Sequence, residues 1–150
     1  MARHEVGSAS VEETESIARR LGAAARAGDV IALTGDLGAG KTAFVRGLAA
    51  GLGIAPDDVA SPTFTMVDEH VGALPLVHVD LYRLEPGEAD VGALREYAAP
   101  GAVTAIEWFE RLPPGALDAS LRVRIDYAEP GRRLIFEGRG ERAERLLKAL

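Results

Sequence analysis

Residues 35–42 read Gly-Asp-Leu-Gly-Ala-Gly-Lys-Thr, a spacing that could hold a chain of phosphates. Glycines in such a turn let successive backbone N–H groups converge on phosphate oxygens at the start of a helix. The lysine ammonium then reaches the β and γ phosphates, and the next hydroxyl binds Mg²⁺. We therefore predict a nucleoside triphosphate site. Its loop residues are Asp36, Leu37, Gly38, Ala39, Gly40, Lys41 and Thr42, with Thr42 also on the metal.

The surroundings of this loop agree with the prediction. A short β-prone run, residues 30–34, precedes the loop, and a helix with an apolar face follows it. Lysine occurs only at positions 41 and 148, while arginine supplies the other basic side chains. A compact ammonium has therefore been kept where a phosphate would lie. The alternative, a glycine-rich turn that only permits tight packing, is disfavoured by these matches.

A phosphate loop also needs acidic residues that face the metal or its water. Glu107 ends the most apolar run of the chain, and Asp80 ends a second run in the same way. We predict that both are catalytic residues and metal ligands, because strand ends at one edge of a sheet form ligand sites. The alternative for each is a charge that ends a strand and reaches solvent.

Three other features are ambiguous. Residues 61–64, Ser-Pro-Thr-Phe, could be a switch loop that senses the γ phosphate or an ordinary proline turn. His78 is best interpreted as a half-buried strand histidine, since no partner histidine has metal-ligand spacing. Trp108 could contact the nucleotide or a partner, or simply be part of the core.

Composition limits the class of protein. A chain of 150 residues with 47% hydrophobic content predicts one domain, residues 1–150. The lack of cysteine excludes disulfides and thiolate metal sites, and a net charge of −6 argues against a broad nucleic-acid footprint. With no signal-like N-terminus and no membrane-length apolar run, we expect a cytoplasmic protein that meets RNA only through a partner.

The pattern of apolar residues predicts an α/β fold. We expect a three-layer sandwich like that of the P-loop NTPases, with a mixed, mainly parallel central sheet. Ser10 and Glu13 fit a capping box at the start of a first helix. The predicted helices cover residues 11–27, the segment after the loop, residues 88–98 and the C-terminus. The predicted strands cover residues 30–34, 64–71 and 74–81 as a hairpin-like pair, 102–106 at the centre, 121–125 and 132–137.

The nucleotide is predicted to be ATP. The chain contains no Asn and no Gln, so the Asn-Lys-x-Asp segment by which regulatory GTPases recognise guanine is absent. A small-metabolite kinase is an alternative, with Arg83, Arg95 and Arg111 available to clamp a transferred phosphate. A third possibility is a nucleotide-gated binding module in which hydrolysis is incidental.

Four segments in order resemble the bacterial TsaE (YjeE) ATPases, which are required for threonylcarbamoyladenosine in tRNA. They are the loop at 35–42, Ser-Pro-Thr-Phe at 61–64, His-Val-Asp-Leu-Tyr-Arg at 78–83, and Ile-Glu-Trp at 106–108. The resemblance also implies that Thr14 and Arg132 lie close to the base or ribose of the nucleotide. Phe109 stands where that family is expected to have a smaller residue or proline.

The resemblance implies an ATPase subunit that acts with the TsaB and TsaD proteins, TsaD being the threonylcarbamoyl transferase. Hydrolysis of ATP would drive or reset that assembly, and tRNA would be met only through the complex. Because no arginine can be identified from sequence as a finger acting in cis, we expect Mg²⁺-dependent turnover by the isolated chain to be slow.

Overall fold

A computed structural model describes residues 1–36, 38–60, 67–85, 88–98 and 100–150, and within them one seven-stranded sheet organises the fold. Its strands are β1 (Ala2–Ser8), β2 (Val30–Thr34), β3 (Val67–His70), β4 (Leu76–Asp80), β5 (Val103–Glu107), β6 (Leu121–Ala128) and β7 (Gly131–Gly138). They lie side by side in the order β1-β7-β6-β2-β5-β4-β3.

The sheet is parallel in its centre and antiparallel at both margins. Strands β6, β2, β5 and β4 run parallel to one another, whereas β7 runs antiparallel to β6 and to β1, and β3 runs antiparallel to β4. Five of the seven described strands therefore point in one direction, which confirms the predicted mixed, mainly parallel sheet. The predicted pairing of the two strands before residue 81 is also correct over the described Val67–His70.

Helices cover both faces of the sheet, as predicted for a three-layer sandwich. One apolar core joins α1 (Val11–Ala24), α2 (Lys41–Gly51) and α4 (Gly140–Leu147) to one face. A second core joins α3 (Val91–Tyr97) and the 3₁₀ turn Phe109–Arg111 to the other face. Side chains alternate along β2, so that Ile31 and Leu33 lie in the first core and Val30 and Ala32 in the second. This two-sided burial explains why the central strands read as continuous apolar runs.

Helix α1 begins at the predicted capping box and ends three residues earlier than predicted. The Ser10 hydroxyl accepts a hydrogen bond from the Glu13 N–H at 3.1 Å, and the Glu13 carboxylate accepts one from the Ala9 N–H at 2.6 Å. Ala25 is extended, with φ −67° and ψ 147°, so the helix stops at Ala24 rather than at residue 27. The segment after α1 leads to the sheet, where the Gly28 N–H donates to the Ala102 carbonyl at 2.8 Å.

Strand β1 was not predicted from the sequence. It pairs with β7 along its whole length at the sheet margin, from Ala2 opposite Gly138 to Ser8 opposite Arg132. Arg3, His4 and Glu5 are exposed, so the segment lacks the apolar residues by which strands are detected. Charged side chains on an edge strand also discourage pairing with another chain.

The parallel centre brings the functional candidates to one edge of the sheet. The carboxyl ends of β2, β5 and β4 lie next to one another, at Thr34, Glu107 and Asp80 respectively. Ligands of open α/β sheets bind at this edge. Across the described ranges, no helix has the length and apolar character required to cross a membrane.

Candidate nucleotide and metal site

The turn between β2 and α2 depends on glycine at two points. Gly35 has φ +136°, and a Cβ there would lie 2.4 Å from the Ile125 carbonyl oxygen. Gly40 is the N-cap of α2 with φ +117°, a conformation that L side chains rarely adopt, although the space beside it is open. The turn therefore delivers the unpaired N–H groups of the first turn of α2 at the sheet edge, where anions are stabilised. Leu37 lies outside the described residues.

Lys41 is the first residue of α2 and is folded back into the turn. Its side chain donates hydrogen bonds to the Gly35 carbonyl and, at 2.9 Å, to the Asp36 carbonyl. The ammonium also lies 4.2 Å from the centroid of the Trp108 ring. Burial lowers the pKa of Lys41, whereas the negative charges of Glu107, Glu110, Asp80 and Asp36 act in the opposite direction. The one buried ammonium of the loop thus stands among carboxylates at the predicted phosphate position.

Thr42 and Glu107 meet, although they are 65 residues apart. The Thr42 hydroxyl donates to the Glu107 carboxylate, with Oγ1 3.1 Å from Oε1 and 3.2 Å from Oε2. Asp80 pairs in register with Glu107 across β4 and β5, and its Oδ1 accepts from the Tyr82 N–H at 2.9 Å. Both acidic residues are buried, with 3% and 6% exposure for Glu107 and Asp80. The alternative of strand-end charges reaching solvent does not describe these side chains.

The donors of this cluster suit Mg²⁺. One hydroxyl and two carboxylates are hard oxygen ligands, and Mg²⁺ bound with a nucleotide uses one or two carboxylates, phosphate oxygens and waters rather than a full protein cage. The described part of the chain contains no group of three or more His, Cys, Asp or Glu residues suited to hold a metal alone. The residues present therefore fit a nucleotide-bound magnesium ion.

His78 belongs to this cluster, which the sequence did not reveal. Its side chain is fully buried, and Nε2 lies 2.5 Å from Oε2 of Glu107. The predicted half-buried histidine is therefore wrong in its burial. The sequence does contain a signal for this location. His78 stands two residues before Asp80 on β4, and side chains at i and i+2 of a strand share a face.

Thr14 and Arg132 line a common cleft of about 240 Å³ beside the loop, which also borders Gly38, Ala39 and Gly40. The Thr14 hydroxyl lies 2.7 Å from that of Ser8, and Arg132 Nε donates to the Ala39 carbonyl at 3.0 Å. The cleft thus borders the glycine-containing part of the loop. None of its described lining side chains is a carboxylate or an amide, the groups that would accept hydrogen bonds from guanine.

Trp108 lies at the mouth of the turn in a strained conformation. Its φ of +59° makes it the only non-glycine residue with positive φ among those described. Its ring contacts Tyr82, with centroids 5.2 Å apart, and the Arg111 guanidinium lies 5.4 Å from its centroid. Backbone strain in a non-glycine residue costs about 1–3 kcal/mol and is concentrated at functional sites. Trp108 is therefore part of the site rather than of the apolar core alone.

Phe109 and two of the arginines considered for a kinase have structural partners. Phe109 is buried in the second core, and the Arg122 guanidinium lies 5.3 Å from its ring centroid. Arg95 donates to the Ala116 carbonyl and Arg111 to the Leu84 carbonyl, each at 2.9 Å. These arginines are engaged with backbone, which weakens the case for a phosphate clamp.

The predicted switch segment, residues 61–64, lies outside the described residues.

Comparison with known proteins shows the family of the chain. The family model described as threonylcarbamoyl adenosine biosynthesis protein TsaE matches residues 8–135. The chain belongs to the TsaE family. The match spans most of the chain, so the resemblance stated from sequence is confirmed.

Individual relatives extend the match. The tRNA threonylcarbamoyladenosine biosynthesis protein TsaE of Bacillus subtilis is 43% identical over 141 residues, covering 93% of this chain and 88% of that protein. The protein of the same description from Nostoc is 44% identical over 131 residues, with 83% and 79% covered. Among solved structures, YdiB of Bacillus subtilis superposes with a TM-score of 0.76 at 35% identity, covering 98% of this chain and 93% of that one.

Proposed function

We propose that this TsaE-family chain is a Mg²⁺-dependent ATP hydrolase that serves the formation of threonylcarbamoyladenosine in tRNA. The observation that carries the proposal is the meeting of Lys41, Thr42, Asp80 and Glu107 at the carboxyl ends of the parallel strands. A glycine-rich turn alone would need no buried acidic pair beside it. The family match supports the pathway, and the cluster supports the reaction.

The residues of the cluster have different roles in binding and hydrolysis. The N–H groups from Gly38 to Thr42 and the ammonium of Lys41 bind the phosphates, which compete with the Gly35 and Asp36 carbonyls for that ammonium. Thr42 and Glu107 hold the metal side of the site, directly or through water, and Asp80 orients metal-bound or attacking water. When bound, Mg²⁺ stabilises the charge that develops on the phosphates. Thr14 and Arg132 line the cleft for the base and ribose.

The partners are proposed to be the TsaB and TsaD proteins, as the family resemblance implies. An arginine finger supplied by a partner accelerates phosphoryl transfer by about 10³–10⁵. Slow turnover of the isolated chain and faster turnover in the assembly are the expected behaviour. With a net charge of −6, the chain is expected to meet tRNA through those partners.

Calorimetry with a matched pair of lysine variants tests nucleotide binding. Lys41→Ala should weaken ATP binding by roughly 10- to 100-fold, since a charge-assisted contact to phosphate is lost. Lys148→Ala removes the other lysine, which caps α4 away from the loop, and should bind as the unaltered chain does. Equal binding by both variants, or no heat with the unaltered chain, would contradict the proposal.

Reconstitution tests the cellular role. Purified chain, ATP, TsaB, TsaD, threonylcarbamoyl donor and unmodified tRNA should give repeated rounds of modification, with ATP consumed. Omitting the chain should reduce the number of rounds. Stoichiometric transfer of labelled γ phosphate to a small metabolite would instead establish a kinase, and full activity with a non-hydrolysing variant would establish a nucleotide-gated binding module.

A further inference from the structure

The imidazole of His78 occupies an unusual environment for a core residue. It is fully buried on β4, between Asp68 of β3 and Ala105 of β5 in the strand register. Nε2 is 2.5 Å from Glu107 Oε2, whereas Nδ1 is buried without a hydrogen-bond partner among the described residues. An apolar side chain would avoid this unpaired nitrogen. The contact with Glu107 is therefore the feature that distinguishes histidine here from an aliphatic residue.

The local register explains how the contact is made. His78 stands beside Ala105, the smallest side chain of β5, and Glu107 lies two residues further along on the same face. The small neighbour leaves room for the ring to lie over β5 and reach the Glu107 carboxylate. An ionised carboxylate only accepts hydrogen bonds, so this contact is a hydrogen bond when Nε2 carries the hydrogen and donates it.

We propose that His78 is a positioning residue that fixes the Glu107 carboxylate in the orientation needed on the metal side of the site. His78 holds Oε2, while the Thr42 hydroxyl donates to both oxygens of the same carboxylate. Two donors from different elements, β4 and α2, thereby fix the plane of the Glu107 carboxylate. This inference rests on the proposed ATP hydrolysis and adds a residue that acts through Glu107. Partners of this kind orient metal ligands in many proteins.

Amide variants separate the two ring nitrogens. The amide nitrogen of Gln reaches about as far from the backbone as Nε2, whereas that of Asn reaches only about as far as Nδ1. His78→Asn should lower kcat by roughly 10- to 100-fold and raise the Mg²⁺ concentration for half-maximal turnover. His78→Gln should recover a substantial part of the loss. Unchanged kcat and Mg²⁺ dependence in His78→Asn, with the unaltered chain active, would overturn the positioning role alone.

A binding measurement distinguishes positioning from a general structural effect. The gain in ATP affinity on adding Mg²⁺ should be smaller in His78→Asn than in the unaltered chain, and His78→Asn should cause no further loss in a Glu107→Ala background. A loss of ATP affinity that is equal with and without Mg²⁺ would mean that the histidine only maintains the fold, and the inference would be wrong.

A spectroscopic measurement needs neither metal nor nucleotide. The chain has three histidines, so the imidazole nitrogens can be assigned by substitution and followed by ¹⁵N NMR. His78 should show the Nε2–H tautomer in the metal-free protein, and Glu107→Ala should shift its Nε2 signal while leaving His4 unchanged. An unshifted signal would remove the contact on which the inference depends. If instead the unaltered chain binds no ATP while this shift is observed, the proposed function fails and the contact stands.

Discussion

Two buried carboxylates stand at opposite ends of the parallel strands, and their partners differ. Asp29, just before β2, has an exposure of 0% and accepts hydrogen bonds from Arg142, from Arg145 and from the Arg26 N–H. Glu107, at the end of β5, accepts from a hydroxyl and an imidazole, and feels the Lys41 ammonium only at longer range. No described arginine or lysine lies within ion-pair distance of Glu107.

The difference separates a structural carboxylate from the one that we propose to act in hydrolysis. Two guanidinium groups neutralise Asp29 and tie α4 to the start of β2, and Arg145 also donates to the Ala24 carbonyl at the end of α1. Burying an acid without such compensation is costly, so a site like that of Glu107 is retained where a further cation is expected. Changing one end of the strands at a time, with stability and turnover both measured, separates the two roles.

Removing the charge of Glu107 should have the largest effect on function. Glu107→Gln should lower turnover by on the order of 10²–10³-fold, because a metal-side or base carboxylate is lost. ATP binding in the absence of Mg²⁺ should stay close to that of the unaltered chain, and thermal stability should be equal or higher, because a weakly compensated buried charge is removed. Steady-state turnover, calorimetry and thermal unfolding measure the three quantities. Unchanged turnover would remove Glu107 from the reaction.

Removing the charge of Asp29, at the other end of the parallel strands, should lower stability and leave turnover unchanged. Asp29→Asn should cost about 2–3 kcal/mol of unfolding free energy, because two guanidinium groups lose their charged acceptor. Turnover per folded molecule at 25 °C should be unchanged, because Asp29 lies at the opposite edge of the sheet from the loop. Denaturant unfolding measures the first quantity and steady-state assays the second. A loss of turnover without a loss of stability would contradict the assignment of roles.

The contrast also shows which parts of the site a sequence reveals. The loop and its helix were predictable because their pattern is local, and Asp80 and Glu107 because each ends an apolar run. The contact of Asp29 with Arg145 joins residues 116 apart, and that of His78 with Glu107 depends on the register of β4 against β5. Such pairs leave no periodic signal, since each member reads alone as an ordinary charged or polar residue.

A substitution at Gly40 separates the effect of backbone conformation at the loop from the effect of steric crowding. Gly40→Ala should cost about 1–2 kcal/mol, because alanine disfavours positive φ, and ATP affinity should fall as the N–H groups of α2 are displaced. Nothing lies within 4 Å of a Cβ at Gly40 or at Gly101, but only Gly40 has positive φ. Gly101→Ala is therefore the matched control and should leave unfolding and ATP binding unchanged. Calorimetry and thermal unfolding measure both variants. An equal effect in the two would show that the added methyl group, rather than the positive φ, is responsible.

The smallest expected effect is a proton taken up by Lys41 when ATP binds. Burial lowers the pKa of Lys41 in the free protein, and phosphate oxygens should raise it again in the complex. Because the bound state then has the higher pKa, the ammonium's contribution to affinity is complete below the free-state pKa. It is lost as the pH rises through the bound-state pKa, by at most about tenfold per pH unit.

Calorimetry in two buffers of different ionisation enthalpy measures this uptake. Between the two pKa values the unaltered chain and Lys148→Ala should take up protons on binding, whereas Lys41→Ala should take up fewer. Proton uptake that is the same in all three proteins would assign the titration to another group. The Lys41 ammonium would then stay equally charged in both states, and the neighbouring carboxylates, rather than burial, would dominate its environment.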